Sequence, residues 1–283
     1  MKRLVAPALV AVLAAGCSGH HDPSPPPTVS FPGKTALEIL HQARTHVLEA
    51  GSAHSDFEFS LQGGLSFSWD GVADLTFPTD GGAGGKEHVS VDLPDLGLGP
   101  IGHIEWIVIG QVTYLHASGL RSLGAHTKWM RIGRTMGPRM RRYFGLLASQ
   151  QNDPSQIFDL LTKVIQAHGA GTQLIGSTYT EHLVGRVDVE SLLAGLPTHT
   201  ANIRQGFDTL MQRLFQSGMS SLPLEAWVDQ NGALVEIRYS YPLGAVVGRL
   251  HGKVTVTYAF SQLGDAFQIS PPPKDQISAA PNG

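Results

Sequence analysis

The only cysteine of the 283-residue chain, Cys17, has the surroundings that most clearly predict a chemical reaction. It follows a short apolar run that begins after Lys2 and Arg3, and the small residues Ala15 and Gly16 lie directly before it. A positive start, an apolar stretch and small residues at the end are typical of an export signal. With cysteine in the next position, the pattern predicts that the thiol is joined to a diacylglycerol and that the chain is cut before Cys17.

This signal resembles a lipobox in which Ala14 stands where leucine is usual and Leu13 lies one place further out. The alternative is an ordinary secretory signal with a chance cysteine. A membrane-spanning helix needs about 20 apolar residues, and the run over residues 4–15 is too short for one. We therefore predict a lipid anchor at Cys17 that holds the protein on the extracytoplasmic side of the cell membrane.

Thirteen histidines invite the hypothesis of a metal site, but their spacing does not support one. The tightest group, His20, His21 and Asp22, lies in a Pro-rich stretch that offers no preformed geometry. No nucleophile elbow, zinc-protease motif or EF-hand loop is present. We expect no catalytic residue, no metal and no cofactor. A metal-dependent enzyme stays an alternative that would need three or four ligands to converge in space.

One segment concentrates positive charge without any acid. Its members are Lys128, Arg131, Arg134, Arg139, Arg141 and Arg142. A basic cluster of this kind can contact anionic lipid head groups, at a membrane or at the mouth of a cavity. The alternative is a solvated loop and helix surface.

Composition narrows the class of protein. Removal of residues 1–16 leaves 18 Lys and Arg against 23 Asp and Glu, a formal charge of −5. This charge argues against nucleic-acid binding, which requires a basic surface. Once Cys17 is acylated no thiol remains for a disulfide, so the folded body must be stabilised by packing.

Periodicity places the elements around these residues. Thr35 and Glu38 have capping-box spacing and predict a helix over residues 36–50. Alternating apolar and polar residues predict strands at 54–61, 65–77 (with a bulge near Gly71), 88–93, 104–109, 112–116 and 128–132. Later strands are predicted at 173–189, 224–229, 235–241 and 253–260. Further helices are expected at 138–150, at 153–169 after Asp153 and Pro154, and at 202–217.

Strands with one polar face, interrupted by helices without regular alternation, predict an α+β fold. The expected architecture is an antiparallel sheet with helices on one face, and its sharper form is an unclosed half-barrel whose concave face the helices cover. The predicted organisation is a signal peptide at 1–16, the lipidated cysteine and a Pro-rich tether at 17–33, a single domain at 34–270 and a disordered tail at 271–283. The tether would reach roughly 50 Å.

Strand parity and helix stripes predict which side chains would line an apolar cavity under the helices. The candidates are Phe57, Phe59, Trp69, Trp106, Leu160, Val164, Phe207, Leu210, Met211 and Leu214. The same periodicity equally describes a sheet packed against helices with a filled core.

The order of motifs resembles the actinobacterial lipoproteins related to LppX and LprG, and more distantly the LolA-type lipoprotein carriers. The matching pieces are the lipobox, the helix at 36–50 that leads into a strand, and the segments 108–114, 128–132, 153–154, 176–184 and 223–241. Trp227, Asp229 and Gly232 form the most specific of them. The resemblance implies an unclosed antiparallel β-barrel and a hydrophobic cavity for acyl chains or lipid-linked molecules.

The expected function is therefore a membrane-anchored, non-enzymatic lipoprotein that binds or carries a lipid, with an envelope protein as a further partner. The alternative is an interaction or sensor lipoprotein of the same fold with a filled core.

Replacing Cys17 with Ser removes the acyl acceptor and should release the protein from the membrane or leave it on an uncleaved signal. Fractionation with mass measurement of the mature N-terminus checks this. A processed Cys17→Ser protein that still sediments with membranes would contradict a lipid anchor at this residue.

Overall fold

The computed structural model describes residues 27–64, 66–78, 85–93, 102–110, 112–118, 126–132, 155–194, 205–248 and 251–279. The export signal, Cys17, the loop at 80–84 and the helix predicted at 138–150 lie outside these ranges. In the described part of the chain, no helix is both long enough and apolar enough to cross a membrane.

In the described ranges, twelve strands form one sheet. They are β1 Ser52–Gly63, β2 Phe67–Thr76, β3 Lys86–Asp92, β4 His103–Ile109, β5 Val112–Ala117, β6 Trp129–Ile132, β7 Val164–Ile175, β8 Thr178–Asp188, β9 Ser221–Asp229, β10 Leu234–Pro242, β11 Gly252–Ser261 and β12 Ile277–Ala279.

The strand order is β12-β6-β5-β4-β3-β2-β1-β11-β10-β9-β8-β7. Neighbouring strands are antiparallel except for the β6–β12 pair, which is parallel. The sheet begins at β12 and ends at β7 without closing into a barrel. This α+β architecture confirms the predicted fold class.

Five helices accompany the sheet in the described ranges. They are α1 Ala36–Ala50, α2 Ser155–Thr162, α3 Val189–Ala194, α4 Gln205–Gln216 and α5 Gly244–Val247. The capping box predicted for α1 is present, with the Glu38 amide donating to Thr35 Oγ1 (3.3 Å) and the Thr35 amide donating to Glu38 Oε2 (2.7 Å). Gly51 ends α1 in the left-handed conformation that glycine adopts without strain.

The helices lie over the strand face that carries Phe57, Phe59 and Leu61, which we call the inner face. Helix α1 buries its apolar stripe in the same core as these side chains, and it contacts α2, β1, β7, β9 and β10. Helix α3 packs on α4, β8 and β9, and α5 packs on α4 and β10. Because side chains alternate along a strand, the inner face is apolar and covered by helices, while the outer face is mostly polar. The outer face also holds a small apolar cluster, in which Ile107 and Trp129 pack with Ile269.

The helix predicted at 153–169 is wrong beyond Thr162. The chain turns where the Lys163 amide donates to the Leu160 carbonyl, and residues 164–175 then pair with β8 as an edge strand. Val164 points to the core, whereas Ile165 is exposed. Val164 and Ile165 continue the apolar periodicity of helix α2, so the sequence predicts a longer helix. Hydrogen bonds to β8 hold these residues in a strand instead.

The bulge predicted near Gly71 is also wrong, since β1 and β2 pair without interruption from Ser52 and Thr76 to Leu61 and Phe67. Glycine has another reason to occur there. A Cβ atom at position 71 would lie 2.5 Å from Cζ of Phe57, so only glycine lets the phenyl ring lie against the strand.

Both ends of the folded body extend further than predicted. Val29 lies within the predicted tether, yet it is buried, and its amide donates to Thr172 Oγ1 of β7 (3.0 Å). At the other end β12 lies within the predicted disordered tail and pairs with β6. The physical reason is the free edge of β6, whose backbone groups gain hydrogen-bond partners from β12.

Candidate functional site

The inner face is apolar along rows that cross the sheet. Phe59 on β1 lies opposite Trp69 on β2 and Val256 on β11. The row continues through Tyr239 on β10 to Leu224 on β9. The register therefore aligns apolar and aromatic side chains on neighbouring strands into one continuous surface beneath the helices.

The structure places nine of the ten predicted lining residues in or against one buried cluster. The side chain of the tenth lies outside the described part of the chain. Phe57, Phe59, Trp106, Leu160, Val164, Met211 and Leu214 belong to one buried cluster, and the half-buried Trp69 and Leu210 pack against it. Val164 joins this cluster from β7 instead of from a helix. The side chain of Phe207 on α4 lies outside the description.

Three aromatic rings form a stack at the end of the inner face where β1 and β2 meet. Phe59 and Trp69 lie parallel with 4.0 Å between ring centroids, and Phe67 stacks on Trp69 at 5.8 Å. Phe67 and Trp69 are half-buried, so this aromatic stack lies at the border between core and surface. Sequence analysis did not include Phe67, although its spacing of two residues from Trp69 places both on one face.

Three tryptophans differ in the hydrogen-bond acceptors of their indole N–H groups. Trp106 Nε1 on the inner face donates to Glu87 Oε1 (2.5 Å), and Trp227 Nε1 on the outer face donates to Gln173 Oε1 (2.8 Å). Trp69 Nε1 is buried, and no hydrogen-bond acceptor lies within reach of it in the described part of the chain.

A polar cluster lies within this apolar surface. Glu87 on β3 is buried, and it is close enough to Tyr258 on β11 for its carboxylate to affect the tyrosine. Burial raises the pKa of the Tyr258 phenol, and the negative charge of Glu87 raises it further. Strands β1 and β2 separate β3 from β11 in the sheet, so Glu87 and Tyr258 interact across the inner face of an unclosed sheet and not between neighbouring strands.

Tyr239 and Tyr241 extend the polar cluster along β10. The hydroxyls of Tyr239 and Tyr258 are hydrogen-bond partners, and burial raises the pKa of both β10 tyrosines. These three tyrosines and Glu87 are not among the lining residues predicted from the sequence. Parity would have placed them on the inner face, but no local pattern brings β3 and β11 together.

Several of the scattered histidines lie on the outer face and pair with acids. His54 Nδ1 lies 2.7 Å from Asp74 Oδ1, and His88 Nε2 lies 2.8 Å from Glu105 Oε1. Among the residues that the structure describes, no three His, Cys, Asp or Glu side chains are arranged to hold a metal ion. These pairs join neighbouring strands.

The motif of Trp227, Asp229 and Gly232 has a structural role. Asp229 Oδ1 accepts from the amides of Asn231 (2.9 Å) and Ala233 (2.8 Å), and Gly232 has a φ of 83° in this turn. The Trp227 ring is parallel to the His182 ring, with 4.5 Å between their centroids. The motif therefore stabilises the turn from β9 to β10 and the polar face of the sheet.

Only two members of the predicted basic cluster lie in the described ranges. Lys128 and Arg131 are exposed beside β6, and Lys128 Nζ lies 5.9 Å from the centroid of the Trp129 ring. Arg134, Arg139, Arg141 and Arg142 lie outside the description. Contact of this cluster with head groups stays a prediction.

No protein-family model and no curated protein matches the sequence. Among solved structures, the chain is similar to LprF from Mycobacterium bovis, with 17% identity over 84% of this chain and 96% of that chain and a TM-score of 0.48. The lipoprotein LppX from Mycobacterium tuberculosis is similar at 15% identity, over 83% of this chain and 98% of that one, with a TM-score of 0.47. A LolA-superfamily protein from Nitrosomonas europaea has 10% identity over 81% and 92% of the two chains and a TM-score of 0.31.

The resemblance expected from the motifs thus extends to solved structures of LprF and LppX. At these identities and scores the similarity describes the course of the chain and carries no argument about its function.

The buried tyrosines give a pH dependence whose sign follows from their pKa values. The pKa values of Tyr239, Tyr241 and Tyr258 are raised in the folded protein, so it retains protons that the unfolded chain loses above about pH 10. The stability that these groups contribute is complete below that pH and is lost as pH rises further.

We therefore expect three of the six tyrosines to stay protonated in the folded protein at about pH 11, as measured by phenolate absorbance with and without denaturant. Tyr258→Phe should make the alkaline loss of stability less steep, and Tyr179→Phe on β8 is the control. Ionisation of all six before unfolding would contradict the buried cluster.

Proposed function

We propose that the protein is a membrane-anchored envelope lipoprotein that binds a lipid or an acylated molecule non-covalently against the inner face of its sheet. The observation that carries this proposal is the aromatic and aliphatic inner face, which crosses the strands of an unclosed sheet and reaches the surface at the half-buried rings of Phe67 and Trp69. No catalytic step is part of the proposal.

An apolar face of this kind suits acyl chains because their affinity arises from removal of methylene groups from water. Each buried CH₂ contributes about 0.8 kcal/mol, so ten of them contribute about 8 kcal/mol before the cost of association. A net free energy of about −8 kcal/mol corresponds to a dissociation constant of about 1 μM. Because association itself costs at least about 4 kcal/mol, that affinity requires burial of about fifteen CH₂ groups, which is most of one long acyl chain.

The anchor would hold this face near its source of lipid. Because Val29 is attached to β7, the tether between Cys17 and the folded body would be residues 18–28. In an extended Pro-rich conformation these eleven residues would reach roughly 34 Å, which is shorter than the tether predicted from sequence. The body would stay within a short distance of the bilayer surface.

The basic cluster suits the head group or the bilayer itself. Lys128 and Arg131 are exposed beside β6, and four further arginines follow them in the sequence. Positive side chains near an anionic membrane contribute about 1 kcal/mol each. We propose that they orient the body on the membrane surface.

A second candidate is a protein-interaction lipoprotein with a filled core. The complete burial of Leu160, Met211 and Leu214 favours it, because side chains that are already packed leave less room for a ligand. Both candidates share the anchor and differ in whether lipid enters the inner face.

Native extraction separates the two. The protein, purified from its membrane without denaturation and extracted into organic solvent, should yield a bound lipid in a fixed ratio by mass spectrometry. After delipidation it should take up a fluorescent acyl probe. A protein free of lipid that takes up no probe would overturn the proposal and leave the interaction lipoprotein.

Two variants on the same strand provide a matched comparison. Phe67→Ser removes a half-buried aromatic ring from the inner face and should weaken probe binding about five- to tenfold, since such a ring contributes about 1 kcal/mol. Val72→Ser changes an exposed position on the outer face of β2 and should leave binding unchanged. Equal effects of the two changes would contradict binding at the inner face.

A further inference from the structure

The indole N–H of Trp69 has no hydrogen-bond acceptor in the described part of the chain. Its Nε1 is also buried. A buried donor without a partner destabilises the structure that contains it. Trp106 and Trp227 avoid this cost with Glu87 and Gln173 as acceptors, so the Trp69 donor requires a separate explanation.

The surroundings of Trp69 offer aromatic surface but no protein acceptor. One flank of its indole ring stacks on Phe59 at 4.0 Å, and Phe67 lies 5.8 Å away on the same strand. Nε1 itself is covered, but the Trp69 ring is half-buried at the border of the inner face, so a ligand that enters there reaches the donor once the side chains over it move aside.

We infer that Trp69 Nε1 donates a hydrogen bond to the carbonyl oxygen of an acyl ester or amide whose hydrocarbon chain lies along the inner face. The inference rests on the proposed function and specifies which lipids the site prefers. It assigns Trp69 as a residue that determines specificity and the aromatic stack as the place where the acyl chain meets its head group.

The charge of the neighbouring strands favours a neutral acceptor. On the inner face of β1, β2 and β11 the side chains nearest this row are apolar or uncharged, among them Phe57, Leu61 and Val256. A carboxylate or phosphate buried there would lack a counter-charge, at a cost that exceeds the gain of one hydrogen bond. A carbonyl oxygen accepts from the indole without that penalty.

The test compares two ligands that differ by one oxygen atom. In 1-monopalmitoylglycerol the chain is joined through an ester, and in 1-O-hexadecylglycerol it is joined through an ether without the carbonyl. Affinities come from displacement of the fluorescent acyl probe. The full-length protein should bind the ester about five- to tenfold more tightly than the ether, as expected for one net hydrogen bond of about 1 kcal/mol. Palmitate should bind more weakly than the ester at neutral pH.

Trp69→Phe keeps an aromatic ring beside Phe59 and removes only the donor. This variant should lose the preference for the ester and bind both ligands with the affinity that the unaltered protein has for the ether. Trp227→Phe is the control, because it removes an indole donor on the outer face and should keep the preference.

The outcomes are distinct. If the apolar probe binds but ester and ether bind equally, or if Trp69→Phe weakens both by the same factor, the carbonyl contact is wrong while the proposed function stands. Failure of the probe and of both glycerol lipids to bind would overturn the proposed function and this inference together.

A second measurement uses the unaltered protein, so its result does not depend on whether the Trp69 variant folds. The chain has four tryptophans, so NMR spectra should show four indole N–H signals that can be assigned by substitution of single tryptophans. The Trp69 signal should shift downfield with the ester and not with the ether. The same Trp69 shift with both ligands, or none with either, would overturn the inference.

Discussion

One physical constraint determines this structure: the apolar face of a long, open sheet must be buried away from water. Alternation along each strand places apolar side chains on the inner face, and the register joins them from β9 through β11 and β1 to β4. A sheet that does not close on itself cannot bury such a face alone, so helices and the curvature of the sheet must cover it. Helix α1 covers β1 and the strands β7, β9 and β10. A surface of this kind is already suited to apolar ligands, because binding and folding use the same free energy of burial.

The elements predicted correctly are those whose signals are local. The capping box of α1 lies within four residues, and the turn between β4 and β5 is read from the dipeptide at 110–111. The inner-face residues of β1 and β2 follow from parity once a strand is assumed. The helix predicted at 153–169 fails because its second half is decided by pairing with β8, which lies later in the chain. The attachments of Val29 to β7 and of β12 to β6 were missed for the same reason.

The candidate site, too, could be predicted only in part, because strand parity gives the face of a residue but not its contacts. Strand parity identified Trp69 and Trp106 as inner-face residues. It did not reveal that Trp106 donates to Glu87 while the donor of Trp69 has no partner in the described chain, since this difference depends on register and curvature. Several of the histidines, which suggested metal chemistry in the sequence, pair with acids on the opposite face. Several histidines and acids thus join strands on the outer face, while in the proposed function the few polar groups of the inner face distinguish one lipid from another.

The central claim is that an acyl ligand lies on the inner face, and the four tryptophans test it directly because two lie on each face. Trp69 and Trp106 belong to the inner face, whereas Trp129 and Trp227 belong to the outer one. An acyl glycerol with a nitroxide on its chain broadens the NMR signals of nearby indole N–H groups. The account predicts broadening of the Trp69 and Trp106 signals and sharp signals for Trp129 and Trp227. Broadening of the outer pair, or of all four equally, would contradict it.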